Sequence, residues 1–322
     1  MKNRFTSRFL VPIVMLIILL SGCSSASARP PVSTAAAASE NPLAAANESL
    51  VSVDGLGRQV VLDAPAQRVV SLAASNTEIL FAIGAGEQII GCDDTSDFPE
   101  AALAVERIGS VFGDLNAEAI LALEPDLVLA AGTNSPEQVE LLEALDLSVY
   151  YLANPIDFEG LYANLAAVGD LVGREEEAAL LIGSLRSRVD AVQSRVANLE
   201  PVSVYYEVDA TDVTAPYTVG ADTFQNLLIT LAGGTNIAGD LELWAPISQE
   251  ELIAREPDVM LFGTSIWVPT TPESVAERPG WSAMTAVAEG RIFPIDSNWV
   301  DRPGPRLVDA LEAIAAILHP EP

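Results

Sequence analysis

One fifteen-residue stretch occurs twice in this chain, 132 positions apart. Leu115-Asn116-Ala117-Glu118-Ala119-Ile120-Leu121-Ala122-Leu123-Glu124-Pro125-Asp126-Leu127-Val128-Leu129 is answered by Ile247-Ser248-Gln249-Glu250-Glu251-Leu252-Ile253-Ala254-Arg255-Glu256-Pro257-Asp258-Val259-Met260-Leu261, with six positions identical. The identities include Glu118 with Glu250 and the two Glu-Pro-Asp triplets. A weaker pair keeps the same order: Asn76-Thr77-Glu78-Ile79-Leu80, before Gly86 and Gly91, answers Phe224-Gln225-Asn226-Leu227-Leu228, before Gly234 and Gly239. Each copy passes from an amphipathic helical stretch into an apolar run, so one βα-type unit stands in each half. A chain built this way is expected to fold as two similar lobes.

Between the copies runs Glu175 to Leu199, with apolar residues at Ala178, Ile182, Leu185, Val189, Val192, Val196 and Leu199. Steps of four and three put these on one face of a helix. The glutamates at 175, 176 and 177 and the later arginines suit the helix dipole, and Pro201 stops the element. At about 1.5 Å per residue it spans roughly 37 Å, the width of a domain. The spacing also fits a surface helix or a coiled-coil arm. The repeats on either side favour a strut joining two lobes.

Apolar runs alternate with amphipathic helices on both sides of the strut, which predicts parallel sheets covered on both faces. The fold class expected is α/β, two Rossmann-like lobes with parallel central sheets joined by one long α-helix. The divisions are 50–173 for the first lobe, 174–200 for the bridging helix and 201–322 for the second lobe. Val51–Val53 and Arg58–Leu62 read as a hairpin, and Ser75 with Glu78 has the spacing of a capping box.

The net charge is −29 and the only lysine is Lys2, so every later cation is an arginine. Phosphate neutralisation needs clustered cations, and nucleic acid is excluded as a partner. Lys2, Arg4 and Arg8 precede an apolar run from Phe9 to Leu20, too short for a comfortable membrane span. It ends in Leu20-Ser21-Gly22-Cys23, which resembles a bacterial lipobox. That resemblance makes residues 1–22 a lipoprotein signal peptide and Cys23 the lipidation site. Residues 23–49, rich in Ala, Ser and Pro, read as a flexible tether. Cys92, at the end of an apolar strand, reads as buried and inert.

The only histidine, His319, lies near the C-terminus and is expected to be frayed. No multi-histidine metal cage or Ser-His-Asp triad can be assembled, and there is no nucleophile elbow, P-loop or dinucleotide fingerprint. An enzyme is not expected, nor a metal site or a cofactor of the protein's own. Ligands of open α/β sheets settle beyond the carboxyl ends of strands. The loops there carry Trp267, Trp299 and, nearby, Trp244; with Phe112 and Tyr217 they suggest an aromatic-lined gap between lobes. Arg302-Pro303-Gly304-Pro305-Arg306 puts two of the scarce arginines around a rigid turn. Arg302 there could grip a ligand, and a salt bridge to Asp301 or Asp309 is the alternative, for Arg306 in particular.

The lipobox, Arg68-Val69-Val70-Ser71-Leu72 with Asn76-Thr77-Glu78, the Glu-Pro-Asp repeats, Tyr217 to Phe224, Ala232 to Ile237 and the Arg302–Arg306 turn resemble the substrate-binding proteins of cobalamin and ferric-siderophore ABC importers. The likeness runs from about Val51 to the C-terminus. It implies two lobes bridged by a helix, a shallow ligand site between them, and delivery of ligand to a permease and its ATPase from a lipid-anchored, extracytoplasmic position at the cell envelope. The strongest likeness is to the cobalamin-binding branch. By that resemblance Tyr217, Trp244 and Arg302 are ligand contacts; Trp299 joins the candidates through its place in the strand-end loop of residues 297–302. Three positions depart from the branch: Asn298 stands for an acidic contact, Thr95 for a tyrosine, and Val111 or Phe112 for a tryptophan. The resemblance implies a corrinoid ligand. A ferric siderophore or haem is the alternative, the ligand itself carrying cobalt or iron, with Tyr217 as an iron ligand for haem. It also places Glu118 and Glu250 as permease-docking residues. A secreted enzyme and a sensory lipoprotein are the distant alternatives.

Overall fold

The computed structural model describes residues 49–264 and 270–321. The signal peptide, Cys23, nearly all of the tether and Trp267 lie outside the described residues.

The described chain opens with a hairpin of β1 (Leu50–Val53) and β2 (Gln59–Leu62), antiparallel with Leu50 opposite Leu62. Its turn is held by the Asp54 carboxylate, which accepts from the backbone N–H groups of Leu56 and Arg58. Then come β3 (Val69–Ser71), α1 (Ala74–Ala82), β4 (Ile89–Cys92), α2 (Ala117–Ala122), β5 (Leu127–Ala131), α3 (Pro136–Glu143), β6 (Val149–Leu152) and α4 (Phe158–Val172). The four strands β4-β3-β5-β6 form one sheet, parallel throughout. Every residue of β3 and β5 is buried, as expected of parallel strands with helices on both faces.

After the bridging helix α5 (Glu175–Val196) the second lobe contains β7 (Val202–Asp209), β8 (Tyr217–Val219), α6 (Phe224–Leu231), β9 (Gly234–Asn236), β10 (Trp244–Pro246), α7 (Gln249–Arg255) and β11 (Val259–Thr264). It ends with α8 (Pro272–Ala276), α9 (Thr285–Ala288), β12 (Ile292–Asp296), α10 (Ser297–Val300) and α11 (Leu307–Leu318). The parallel order β9-β7-β11-β12 repeats that of the first lobe. The difference is an antiparallel pair, β8 and β10, attached to the carboxyl half of β7 on the edge whose amino half takes β9.

The Glu-Pro-Asp triplets have the same structure in both lobes. Glu124 and Glu256 adopt left-handed backbones, φ 47° and 46°, which end α2 and α7 abruptly before the prolines. The Asp126 carboxylate accepts from the backbone N–H groups of Gln67 (2.8 Å) and Arg68 (2.9 Å), just before β3. The Asp258 carboxylate accepts from the N–H (3.1 Å) and hydroxyl (2.7 Å) of Ser203, at the start of β7. Each triplet thus leads into the central strand of its sheet and pins the beginning of the neighbouring strand.

Helix α5 buries Ala178, Leu185, Val189, Val192 and Val196, the face expected, with Ile182 half-buried. It ends at Val196 rather than Leu199, because residue 199 joins a turn in which its N–H bonds the Val196 carbonyl. Its apolar face belongs to one continuous core with Leu161 and Leu165 of α4, Leu228 of α6 and Leu311 of α11. Arg186 reaches Glu159 on α4 at 2.5 and 3.0 Å. Arg188 reaches Glu312 on α11 at 2.9 and 2.7 Å and Asp309 at 2.5 Å. One helix is therefore sewn to both lobes. His319 is not frayed: it caps α11, and its Nε2 lies 3.1 Å from the Gly233 carbonyl oxygen.

Candidate functional site

In both sheets the connections diverge from the first strand to either side, β3 in one lobe and β7 in the other. Such switch points leave a crevice at the carboxyl ends of the strands. A cavity of about 260 Å³ lies there, with residues of both lobes in its wall. The first lobe supplies Ala73, Ala74 and Ser75 after β3, Asp93 and Thr95 after β4, and Thr133 after β5. Val111 and Phe112 come from the long connection before α2, and the second lobe supplies Ser297, Asn298, Asp301, Arg302 and Pro303. A larger depression of about 530 Å³ beside Gln88 and Arg174 lies at the opposite end of the first sheet and has no second-lobe residue.

Local sequence explains how these groups are held. Asn76 donates to the carbonyls of Leu129 and Ala130, and Thr77 is hydrogen-bonded to Ser71 and Ser96, so α1 is tied to the ends of β5, β3 and β4. Glu78 is the next residue along. It makes no capping box with Ser75; the helix begins at Ala74, with Ala73 as an N-cap that makes no side-chain bond. The Glu78 side chain, 2% exposed, instead crosses to the second lobe, where Arg306 donates to it from Nε at 2.8 Å and from Nη2 at 2.5 Å. Arg302 Nη1 lies 3.3 Å from the same carboxylate and 2.6 Å from Asp97 Oδ1. Arg306 also stacks on Phe98, its guanidinium carbon 4.1 Å from the ring centre.

Arg306 therefore pairs across the lobes, not with Asp301 or Asp309, and Arg302 is both cavity wall and bridge. Asp309 is already engaged by Arg188. Asp301 accepts from Gln225 Nε2 at 3.0 Å and from the buried Tyr206 hydroxyl at 3.5 Å. Burial pushes the Asp301 carboxyl up, opposed by hydrogen bonds from Gln225, Ser297 and Tyr206 and by the Arg302 charge. Burial would also raise the Asp97 carboxyl, but the hydrogen bond and charge of Arg302 outweigh it and hold this group below the usual aspartate range. Asp93 is wholly buried, its carboxylate accepting from Thr95 N–H at 3.0 Å, from the Thr95 hydroxyl, and from the Ser96 hydroxyl at 2.5 Å. This explains Thr95: it holds the wall aspartate as well as facing the cavity.

Of the residues singled out from the sequence, Thr95, Phe112, Asn298 and Arg302 meet at this cavity. Phe112 is 64% exposed, a large apolar ring at the mouth. Tyr217 and Trp244 are elsewhere on the second lobe, on the paired strands β8 and β10, with Tyr217 opposite Pro246 and Trp244 opposite Val219. Both are exposed, at 47% and 41%, and Trp244 meets Phe224 edge-on at 6.3 Å. Trp299 is half-buried against the main core and does not face the cavity. Cys92 is buried, with Arg107 Nη1 3.0 Å from its sulfur, and burial raises the thiol despite that charge. Sequence reasoning missed Glu78 and Asp97 as partners of the arginines, and no local pattern marks a contact between positions more than two hundred residues apart.

Among the described residues no cluster of three or more metal-ligating side chains occurs, and no helix is long and apolar enough to cross a membrane. Glu118 and Glu250 are exposed, and each is the second residue of its helix. The helix ends are already capped, by the side chains of Asn116 and Ser248.

The profile of the periplasmic binding proteins matches residues 69–299, spanning both lobes and the bridging helix. The chain belongs to this family. It is a family of solute-binding proteins, and two lobes on parallel sheets are its architecture. An uncharacterised ABC transporter substrate-binding lipoprotein of Bacillus subtilis, YvrC, is 29% identical over 279 residues, 84% of this chain and 86% of its own length. A vitamin B12-binding protein of Vibrio cholerae is 27% identical over 261 residues, covering 79% of this chain and 90% of that one. The periplasmic heme-binding protein RhuT of Roseiflexus sp. RS-1, in its apo form, aligns with a TM-score of 0.72 and 27% identity, over 79% of this chain and 98% of that chain.

Proposed function

We propose that the protein is the extracytoplasmic substrate-binding component of an ABC importer, capturing a corrinoid between its lobes and handing it to a membrane permease. The observation that carries this reading is the cavity at the carboxyl ends of both sheets, walled by both lobes and rimmed by an exposed aromatic ring. At about 260 Å³ it would grip one face of a large ligand and leave the rest against the rim, where Phe112 offers apolar surface; Tyr217 and Trp244, exposed on β8 and β10 outside the cavity wall, would be met by a ligand that extends past that rim. The B12-binding relative supports the corrinoid assignment. The protein adds no cofactor of its own and performs no reaction on the ligand. Cys23 carries the lipid that holds it to the membrane, and the tether of residues 23–49 gives it reach. The lobes are 50–173 and 201–322, with 174–200 as the joint.

Haem is the second reading, favoured by one observation: Tyr217 is exposed, so its hydroxyl is accessible to a ligand's iron. A ferric siderophore would use the same crevice. Calorimetry of the purified protein against cyanocobalamin, haemin and ferric siderophores tests the assignment. Micromolar or tighter binding of cyanocobalamin alone is expected, and failure of every one to bind better than millimolar would overturn the transport reading.

A further inference from the structure

The cavity wall and its immediate surroundings carry more negative than positive charge. Four carboxylates stand there: Glu78, Asp93, Asp97 and Asp301. Three guanidiniums face them: Arg107, Arg302 and Arg306. Arg107 spends its donors on the backbone carbonyls of Asp93, Ser96 and Ala102 and on the Cys92 sulfur. Arg306 is committed to Glu78 by two hydrogen bonds. Asp93 and Asp301 are held by hydroxyl, amide and backbone donors rather than by a cation's hydrogen bonds. Arg302 is thus the cation of the cavity wall, and its Nη1 is already shared between Asp97 and Glu78.

Resting on the ligand-binding reading above, we propose that Asp97 is a charge filter that makes the cleft select ligands with a neutral, amide- or hydroxyl-bearing face and reject carboxylates. A ligand carboxylate approaching Arg302 has to displace Asp97 while it faces Asp93 and Asp301, neither of which is hydrogen-bonded by a cation. A neutral amide carries no such repulsion and can settle against the wall with the Arg302–Asp97 ion pair left in place. Glu78 serves differently, since it is buried and its bonds to Arg306 fix the geometry of the turn. The Asp97 side chain is 43% exposed, so it can be exchanged or displaced at little structural cost.

Asp97→Asn removes the competing charge at nearly constant shape. Two probes read the effect: cyanocobalamin, and the same corrin with one peripheral amide hydrolysed to a carboxylate. The parent should prefer the amide form, and D97N should gain roughly tenfold or more for the carboxylate while keeping the amide form within about threefold. Adding Arg302→Gln to D97N should erase the gain. An unchanged preference in D97N overturns the filter. If neither corrin binds either protein, the corrinoid reading fails, and citrate decides the filter by itself. Citrate should raise the melting temperature of D97N and leave that of the parent and of the double variant unmoved; equal shifts in all three overturn the proposal.

Discussion

Arg306 and Glu78, 228 positions apart, meet between the lobes through two hydrogen bonds, Nε to Oε2 at 2.8 Å and Nη2 to Oε1 at 2.5 Å. The carboxylate is 2% exposed and the arginine side chain 13%, so this is a desolvated bidentate pair of the strong kind. It clasps the cleft side of the molecule while α5 joins the other contacts of the two lobes into one core. Removing one partner of a buried pair leaves the other charge uncompensated, at a cost of about 3–5 kcal/mol. Glu78→Gln should therefore lose about 3 kcal/mol in urea unfolding and roughly 6–12 °C in Tm. Replacing both, Glu78→Gln with Arg306→Leu, should recover part of the loss.

The same clasp and the continuous core around α5 limit the motion between lobes. A packed helix resists the dihedral changes that paired flexible strands absorb in a hinge. Small-angle scattering profiles with and without ligand should nearly superimpose, and a marked compaction would contradict this architecture.

Tyr217 and Trp244 are solvent-exposed on adjacent strands, and little of the protein's own core depends on them. Truncation of an aromatic anchor at an interface commonly costs about 2 kcal/mol or more, roughly thirtyfold in affinity. Tyr217→Ala and Trp244→Ala should each keep the parent's melting temperature to within a few degrees and weaken ligand binding by that factor. Parent-like affinity in both would make them surface residues without a ligand.

Glu118 and Glu250 occupy equivalent second positions in α2 and α7, where a carboxylate favours the helix dipole by about 0.3–1 kcal/mol. Capping is already supplied by Asn116 and Ser248, so the acids are free to meet cations of a permease, one on each lobe. Substituting both by Gln should leave ligand affinity unchanged and Tm lowered by no more than a few degrees, while uptake through the cognate permease falls. Uptake at the parent rate, in low and high salt, would reduce them to dipole partners.

The Asp97 carboxyl is held low by Arg302, against the opposing effect of burial. Its contribution to stability is therefore complete above the ordinary aspartate value of about 4 and is lost as pH falls through its lower, folded-state value. Thermal melts of the parent should fall more steeply than those of D97N below about pH 4, and the two curves should converge in stronger acid. Parallel curves would mean that the pair contributes nothing in solution.

The sequence by itself determined the class of fold, the duplication and the strut. Periodicity of apolar residues is a local property, and the α5 face from Ala178 to Val196 is buried as its spacing requires. The Glu-Pro-Asp repeats were legible as a repeat, and the structure adds their reason: a left-handed glutamate and an aspartate that receives a neighbouring strand. The loops at the carboxyl ends of the strands were legible too, because strand direction follows from the alternation of strands and helices. What the tertiary structure alone decided is which side chains meet. Arg302 and Arg306 are close in the chain, yet their partners Glu78 and Asp97 come from the other lobe, through contacts no spacing rule encodes. The β8–β10 pair, which carries Tyr217 and Trp244 away from the Arg302 cavity, consists of two three-residue strands. Strands that short take their conformation from the edge they add to, β7 for β8 and β8 in turn for β10, and not from their own composition.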